Sequence, residues 1–157
     1  MENYLLLKLI HILSAVVIAG TGAGIAFFMF MASRSNNPQA IYTTTKHVVL
    51  GDWIFTAPAV VTQLITGMML MKKLNYSLSS EWFYWVIGLF ILIGICWLPV
   101  VRIQYRLREL AKVSVETNEV SPEFKKLMRI WTLLGIPAFT AILIIFWLMV
   151  FKPFPVV

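Results

Sequence analysis

Ionisable side chains are expensive inside a bilayer, so each one found in an apolar stretch is a candidate for chemistry. Four stand in such stretches here: Lys8, His11, His47 and Asp52, with Gln63 as an uncharged polar companion. His11 follows Lys8 by three residues, which places both on one helix face. A neutral imidazole inside a helical bundle is a ready axial ligand for haem iron. The competing reading is a histidine hydrogen-bonded across a helix interface, for instance to Gln63 or Thr66. By depth, Gln63, Thr66, Met68 and Met69 are expected level with His11. So is Gly88, whose missing side chain leaves space. His47 is expected at the opposite membrane face, roughly 20 Å or more away along the normal. The two histidines therefore cannot share one iron, and a second axial ligand would be a methionine or absent.

Asp52 lies one turn deeper than His47. Buried alone, its carboxyl must take a proton or find a cation. Arg102, Arg106 and Arg129 are expected near the same interface, so His47, Asp52 and Arg102 make a candidate polar cluster at the inner face. An ion pair locking two spans together is preferred there over a proton relay. Cys96 sits in an apolar run with no partner at metal-ligand spacing, and reads as a small buried hydrophobe. No Walker loop, GxGxxG fingerprint or GxSxG elbow is present.

The elements that position these residues follow from composition. Of 157 residues, 60% are hydrophobic and 13% charged. Soluble domains run at about 45–50% and 25% on those counts. The mean hydropathy is +0.84. A disordered chain, a disulfide-stapled secreted domain and an ordinary soluble enzyme are thereby excluded. A spanning helix needs about 20 apolar residues. Four segments qualify, at about 4–32, 47–71, 82–102 (with a helical extension towards Ala111) and 127–151. Continuous apolar runs of that length are not half-buried strands, because open sheet edges are not tolerated in lipid. The expected fold is all-α: one transmembrane domain over 1–157, a four-helix bundle of up-down topology. The first span does not read as a cleaved signal peptide, since Met1-Glu2-Asn3 is not basic and the apolar run is too long.

The net charge of +6 is concentrated in loops, which fits membrane topology better than nucleic-acid binding. Arg34, Lys46, Arg102, Arg106, Arg108, Lys112, Lys125, Lys126 and Arg129 fall on one side. Lys72, Lys73 and Lys152 fall on the other, with Lys8 if it snorkels. The positive-inside rule puts the first set in the cytoplasm and both termini outside; the expected location is the bacterial inner membrane, with both termini in the periplasm. Trp82, Trp85 and Trp147 are then expected near the outer interface, and Trp53 and Trp131 towards the inner one. The expected loops are Ser33 to Lys46, Lys73 to Glu81 and about Lys112 to Pro122. Ser121-Pro122-Glu123 reads as a helix start, with a serine N-cap and proline in the first turn. The basic cluster between spans three and four reads as a topology signal with some attraction to anionic lipid.

Ala15, Ala19 and Ala23, with Gly20-x-x-x-Gly24, are small residues at the spacing that lets helices approach closely. The Met and Phe stripe from Phe27 to Met31 reads as lipid-facing or core. Pro58, Pro99 and Pro137 fall inside spans two, three and four and are expected to kink them. Trp53 with Pro58-Ala59, and Trp131 with Pro137-Ala138, form a weak echo of the kind two related hairpins produce.

Lys8-Leu-Ile-His11-Ile-Leu, Gly20-Thr-Gly-Ala-Gly24 and His47-Val-Val-Leu-Gly-Asp52-Trp53 resemble an uncharacterised bacterial family of predicted integral membrane proteins. So do the run from Thr56 to Gly67, Trp97-Leu-Pro-Val-Val, Gln104 and Lys152-Pro153. The resemblance covers nearly the whole chain. More distantly, Lys8-x-x-His11 and Thr56-x-Pro58-Ala59 leading to Gly67 resemble the first two helices of HemJ-type protoporphyrinogen oxidases, and the chain is similar to CopD-like membrane proteins. The HemJ likeness implies a b-type haem, with His11 as ligand and Lys8 nearby. Lys8, Gln63, Met68, Met69 and Gly88 then complete the candidate cofactor site. The third helix of that family carries a Lys and a His, and span three here has neither before Arg102. Copper handling, implied by the CopD likeness, would fall to Met68, Met69 and Met71.

Three functional classes follow, in order of preference. The first is a haem-associated redox or tetrapyrrole-handling protein. The second is a non-catalytic accessory or assembly subunit of a larger membrane complex. The third is a small transporter. The expected partners are membrane lipid and either a second copy or a larger membrane complex, with no nucleic acid.

Overall fold

The computed structural model describes residues 2–155; Met1, the first residue of the non-basic start, lies outside them. The described residues fold into helices without strands. These are α1 (Glu2–Arg34), α2 (Pro38–Gly51), a π-helical turn (Asp52–Thr56), α3 (Ala57–Lys73), α4 (Glu81–Thr117) and α5 (Pro122–Phe151). The second span is therefore the continuous run of α2, the π turn and α3. The resulting four rods are each long and apolar enough to cross a membrane. Connected in sequence by short turns, they run up and down. The α1–α2 and α4–α5 turns lie at one end, called here the basic end for its lysines and arginines. The start of α1, the end of α5 and the α3–α4 turn lie at the other, the terminal end.

One helix start differs from expectation. The loop expected from Ser33 to Lys46 is mostly helix, because α2 begins at Pro38. The Asn37 side chain accepts from the backbone N–H groups of Gln39 and Ala40, and Pro38 occupies the first turn, where a missing N–H costs nothing. The residues of this stretch are too polar to register as membrane-spanning, yet they are helical. Between spans three and four, α4 runs past Ala111 to Thr117, and α5 begins at Pro122 as its Ser121-Pro122-Glu123 start predicts, capped by the Ser121 hydroxyl on the Phe124 N–H.

The bundle is two helix pairs joined at one end. α1 packs along α3, and α4 packs along α5. α2 bridges the pairs, lying against both α1 and α4. The compact core sits where it does so: Met29, Ile41, Val48, Val100, Leu107, Ala111, Phe124, Met128 and Trp131 form one buried cluster at the basic end. At the terminal end, the buried Trp82 indole donates to the Leu148 carbonyl (2.9 Å) and ties α4 to α5.

The prolines behave unequally. Pro58 follows directly on the π turn, in which the Ala57 N–H bonds the Asp52 carbonyl. A proline ring in an α-helix collides with the carbonyl four residues earlier, here that of Ile54, and a widened turn relieves this. Pro99 and Pro137 stay within single continuous helices. The echo between Pro58-Ala59 and Pro137-Ala138 is thus not matched in local structure. Nor are its tryptophans alike: Trp53 is exposed and donates to the Tyr105 hydroxyl (2.7 Å), while Trp131 is buried.

Candidate functional site

The His11 region lies between α1 and α3, and every polar atom in it has a partner. The Thr66 hydroxyl donates to the Thr62 carbonyl (2.6 Å). Its oxygen is therefore free to accept from His11 Nδ1–H (2.8 Å). The Gln63 amide then donates to His11 Nε2 (3.0 Å), and its oxygen accepts from the Ser14 hydroxyl. One ring nitrogen donates and the other accepts, which describes a neutral imidazole. Gly67 supplies the room: a Cβ built there would stand 3.2 Å from His11 Cε1.

Several expected cofactor contacts are absent from this cluster. The ring lone pair that would bind iron, on Nε2, is held by the Gln63 amide, and Nδ1 carries its hydrogen towards Thr66. As arranged, His11 does not fit an axial ligand. Lys8 is exposed on the outer face of α1. Gly88 is exposed too, with nothing within 4 Å of a Cβ placed on it, so the glycine that accommodates the imidazole is Gly67 and not Gly88. Met68 and Met69 are exposed, and border a shallow depression at the terminal end with Met71, Lys72 and Tyr76. Among the described residues, no group of three or more His, Cys, Asp or Glu side chains converges on a metal position.

The expected cluster at the basic end also rearranges. Asp52 is buried, at 6% exposure, but His47 and Arg102 are both exposed and neither pairs with it. Helical phase explains this. Residues five apart on a helix point about 140° apart, so Asp52 and His47 cannot share a face. Residues two apart point about 160° apart, so Gln104 faces inward where Arg102 faces out. Gln104 is 3% exposed. Among the described residues, Asp52 and Gln104 have no side-chain hydrogen bond or ion pair. Arg106 instead pairs with Glu123 (2.9 Å) on the surface, bidentate through Nε and a terminal nitrogen.

Asp52 and Gln104 border a cleft of about 670 Å3 that opens between the two helix pairs. All four spans line it. Ala15, Gly22, Ala23 and Ala26 come from α1, Val60 and Gln63 from α3, Phe90, Gly94 and Trp97 from α4, and Gly135, Phe139 and Phe146 from α5. The small residues of α1 thus hollow out a space. Gly20 and Gly24 have nothing within 4 Å of a built Cβ, so the Gly20-x-x-x-Gly24 motif mediates no close helix contact among the described residues. At the basic end the lining turns polar, with Asp52, Thr56, Gln104, Trp131 and Thr132. The π turn sets Asp52 and Thr56 on one face. Three buried polar atoms here lack any partner: Thr56 Oγ1, Trp97 Nε1 and Trp131 Nε1. An unpaired buried donor costs about 1–3 kcal/mol, so three together mark an incomplete site.

A family model described as predicted integral membrane protein (DUF2269) matches residues 5–153. The chain belongs to this family. It is an integral membrane protein with four transmembrane helices, as its spans and lipid-facing surface require. No curated protein and no solved structure matches the chain. Sequence reading singled out Asp52 and mentioned Trp97, Trp131 and Gln104, but did not join them. The signal available was phase: Trp97, Val100 and Gln104 recur at spacings of three and four on one face of α4.

Proposed function

We propose that this protein holds a lipid-soluble amphiphile in the cleft between its helix pairs, as a binding or carrier protein of the membrane. The apolar body would lie among Gly22, Gly94, Gly135 and the surrounding aromatic and aliphatic side chains. The polar head would meet Asp52, Thr56, Gln104, Trp97 and Trp131. The observation that carries this reading is the set of buried polar groups at one end of an apolar cleft with no partner in the chain. A cleft between helices with few polar groups at one end is the usual form of a small-molecule site. Haem ligation by His11 is not part of the reading, because both its ring nitrogens are engaged.

The test is mass spectrometry of the protein released intact from nanodiscs. Gly94 and Gly135 line the cleft, and a Cβ on either meets nothing within 4 Å. Gly94→Leu and Gly135→Leu should therefore fill the space without displacing the backbone. A small-molecule adduct on the wild type that both variants lose is the expected result. No adduct, or one that persists in both variants, overturns the reading.

A subunit role in a larger membrane complex is the second reading. It is favoured by Gly20 and Gly24, small residues at helix-packing spacing that contact no neighbour within the chain. The mass of the complex extracted in mild detergent tests it.

A further inference from the structure

The amphiphile reading leaves the chemistry of the head group open, and the charge of the cleft narrows it. Among the residues that line the cleft, Asp52 is the one charged type, and Cys96 is the only other titratable side chain. The linings from α1, α3 and α5 hold no charged group at all. The nearby cations face elsewhere: Lys46, His47, Arg102 and Arg129 are exposed, and Arg106 is engaged by Glu123. A carboxylate enclosed by apolar walls is stabilised by pairing with a cation. Among the described residues, none supplies that cation. The cleft lining also includes the Trp97 and Trp131 indoles, the aromatic type that best attracts a desolvated positive charge. Gln104 and Thr56 add oxygen acceptors at the same end.

We infer that the head group is cationic: the cleft takes a lipophilic cation, which pairs with the Asp52 carboxylate. The inference rests on the proposed amphiphile site, and its test separates the two.

The full-length protein in detergent is dialysed to equilibrium against tetraphenylphosphonium and, separately, tetraphenylborate, ions of matched shape and opposite charge. The expected result is binding of the phosphonium with little binding of the borate. Gly135→Leu should abolish it. Asp52→Asn should weaken it about thirtyfold or more, the loss typical of one partner of a desolvated charge pair. Asp52→Glu should retain part of it. The comparison of the two ions on the wild type needs no variant and stands even where Asp52→Asn fails to fold. Equal binding of both ions, each blocked by Gly135→Leu, would overturn the cationic head group and leave the cleft reading intact. Phosphonium binding that ignores Asp52→Asn would do the same. Binding of neither ion, or binding indifferent to Gly135→Leu, would overturn both.

Discussion

His11 and Asp52 are both polar residues inside an apolar bundle, and they have been treated in opposite ways. Around His11, a closed chain of donors and acceptors runs from Ser14 through Gln63 and the imidazole to Thr66 and the Thr62 carbonyl. Around Asp52, the carboxyl group and the Gln104 amide make no side-chain hydrogen bond among the described residues, and Thr56, Trp97 and Trp131 hold orphaned donors. A satisfied polar network in lipid fixes how two helices pack, which is a structural task. An unsatisfied one lowers stability and persists where something else completes it. The first region therefore reads as the clamp between α1 and α3, and the second as the candidate site.

That contrast can be broken most forcefully at Gly67. A leucine there would drive into the imidazole, whose Cε1 already stands 3.2 Å from a built Cβ. Gly67→Leu should cost about 3 kcal/mol, read from unfolding in mixed detergent micelles. Gln63→Leu should cost less, about 1–2 kcal/mol, because it strands His11 Nε2 while Ser14 keeps the His11 carbonyl as a partner. A value near zero would mean that the network holds nothing. The Asp52 side should respond with the opposite sign. Asp52→Asn should raise the melting temperature in detergent, by the equivalent of about 1 kcal/mol, since a neutral amide costs less to enclose than a carboxyl group with no partner. Destabilisation by that variant would make Asp52 a structural residue like His11. Smallest of all, Trp131→Phe should stabilise by about 0.5 kcal/mol by deleting an orphaned N–H while keeping the ring. Chemical denaturation in a ligand-free preparation would resolve it, and a loss of stability would reveal a partner for that indole.

The four spans were plain in the sequence because each is an unbroken apolar run, and lipid leaves the backbone little choice but helix. The interhelical hydrogen bond from His11 to Thr66 or Gln63 was also legible, since depth along two antiparallel spans pairs those positions. The start of α2 was not, because Tyr42, Thr43, Thr44 and Thr45 dilute the apolar signal, although Asn37-Pro38 carries the marks of a helix start. The cluster of His47, Asp52 and Arg102 failed for a different reason. Depth alone groups residues of one membrane level, and only rotation about the helix axis separates the inward Gln104 from the outward Arg102. Gly88 failed in the same way, level with the imidazole but on the wrong face. The cleft itself was beyond reach, because it depends on two helix pairs standing apart above a shared core, and no residue type announces a gap.

The π turn at Asp52–Thr56 joins these two regions along one span. Such a turn amounts to one residue more than an α-helix would use, and so it acts as a phase shifter. Residues before it are in register with α4 and the polar end of the cleft. Residues after it are in register with α1. Excising a single residue from the turn would rotate everything beyond it by about 100°, swinging Gln63, Thr66 and Gly67 off the imidazole. The span is thus indexed twice, once at each end, and the widened turn is the offset that lets both indices hold at once.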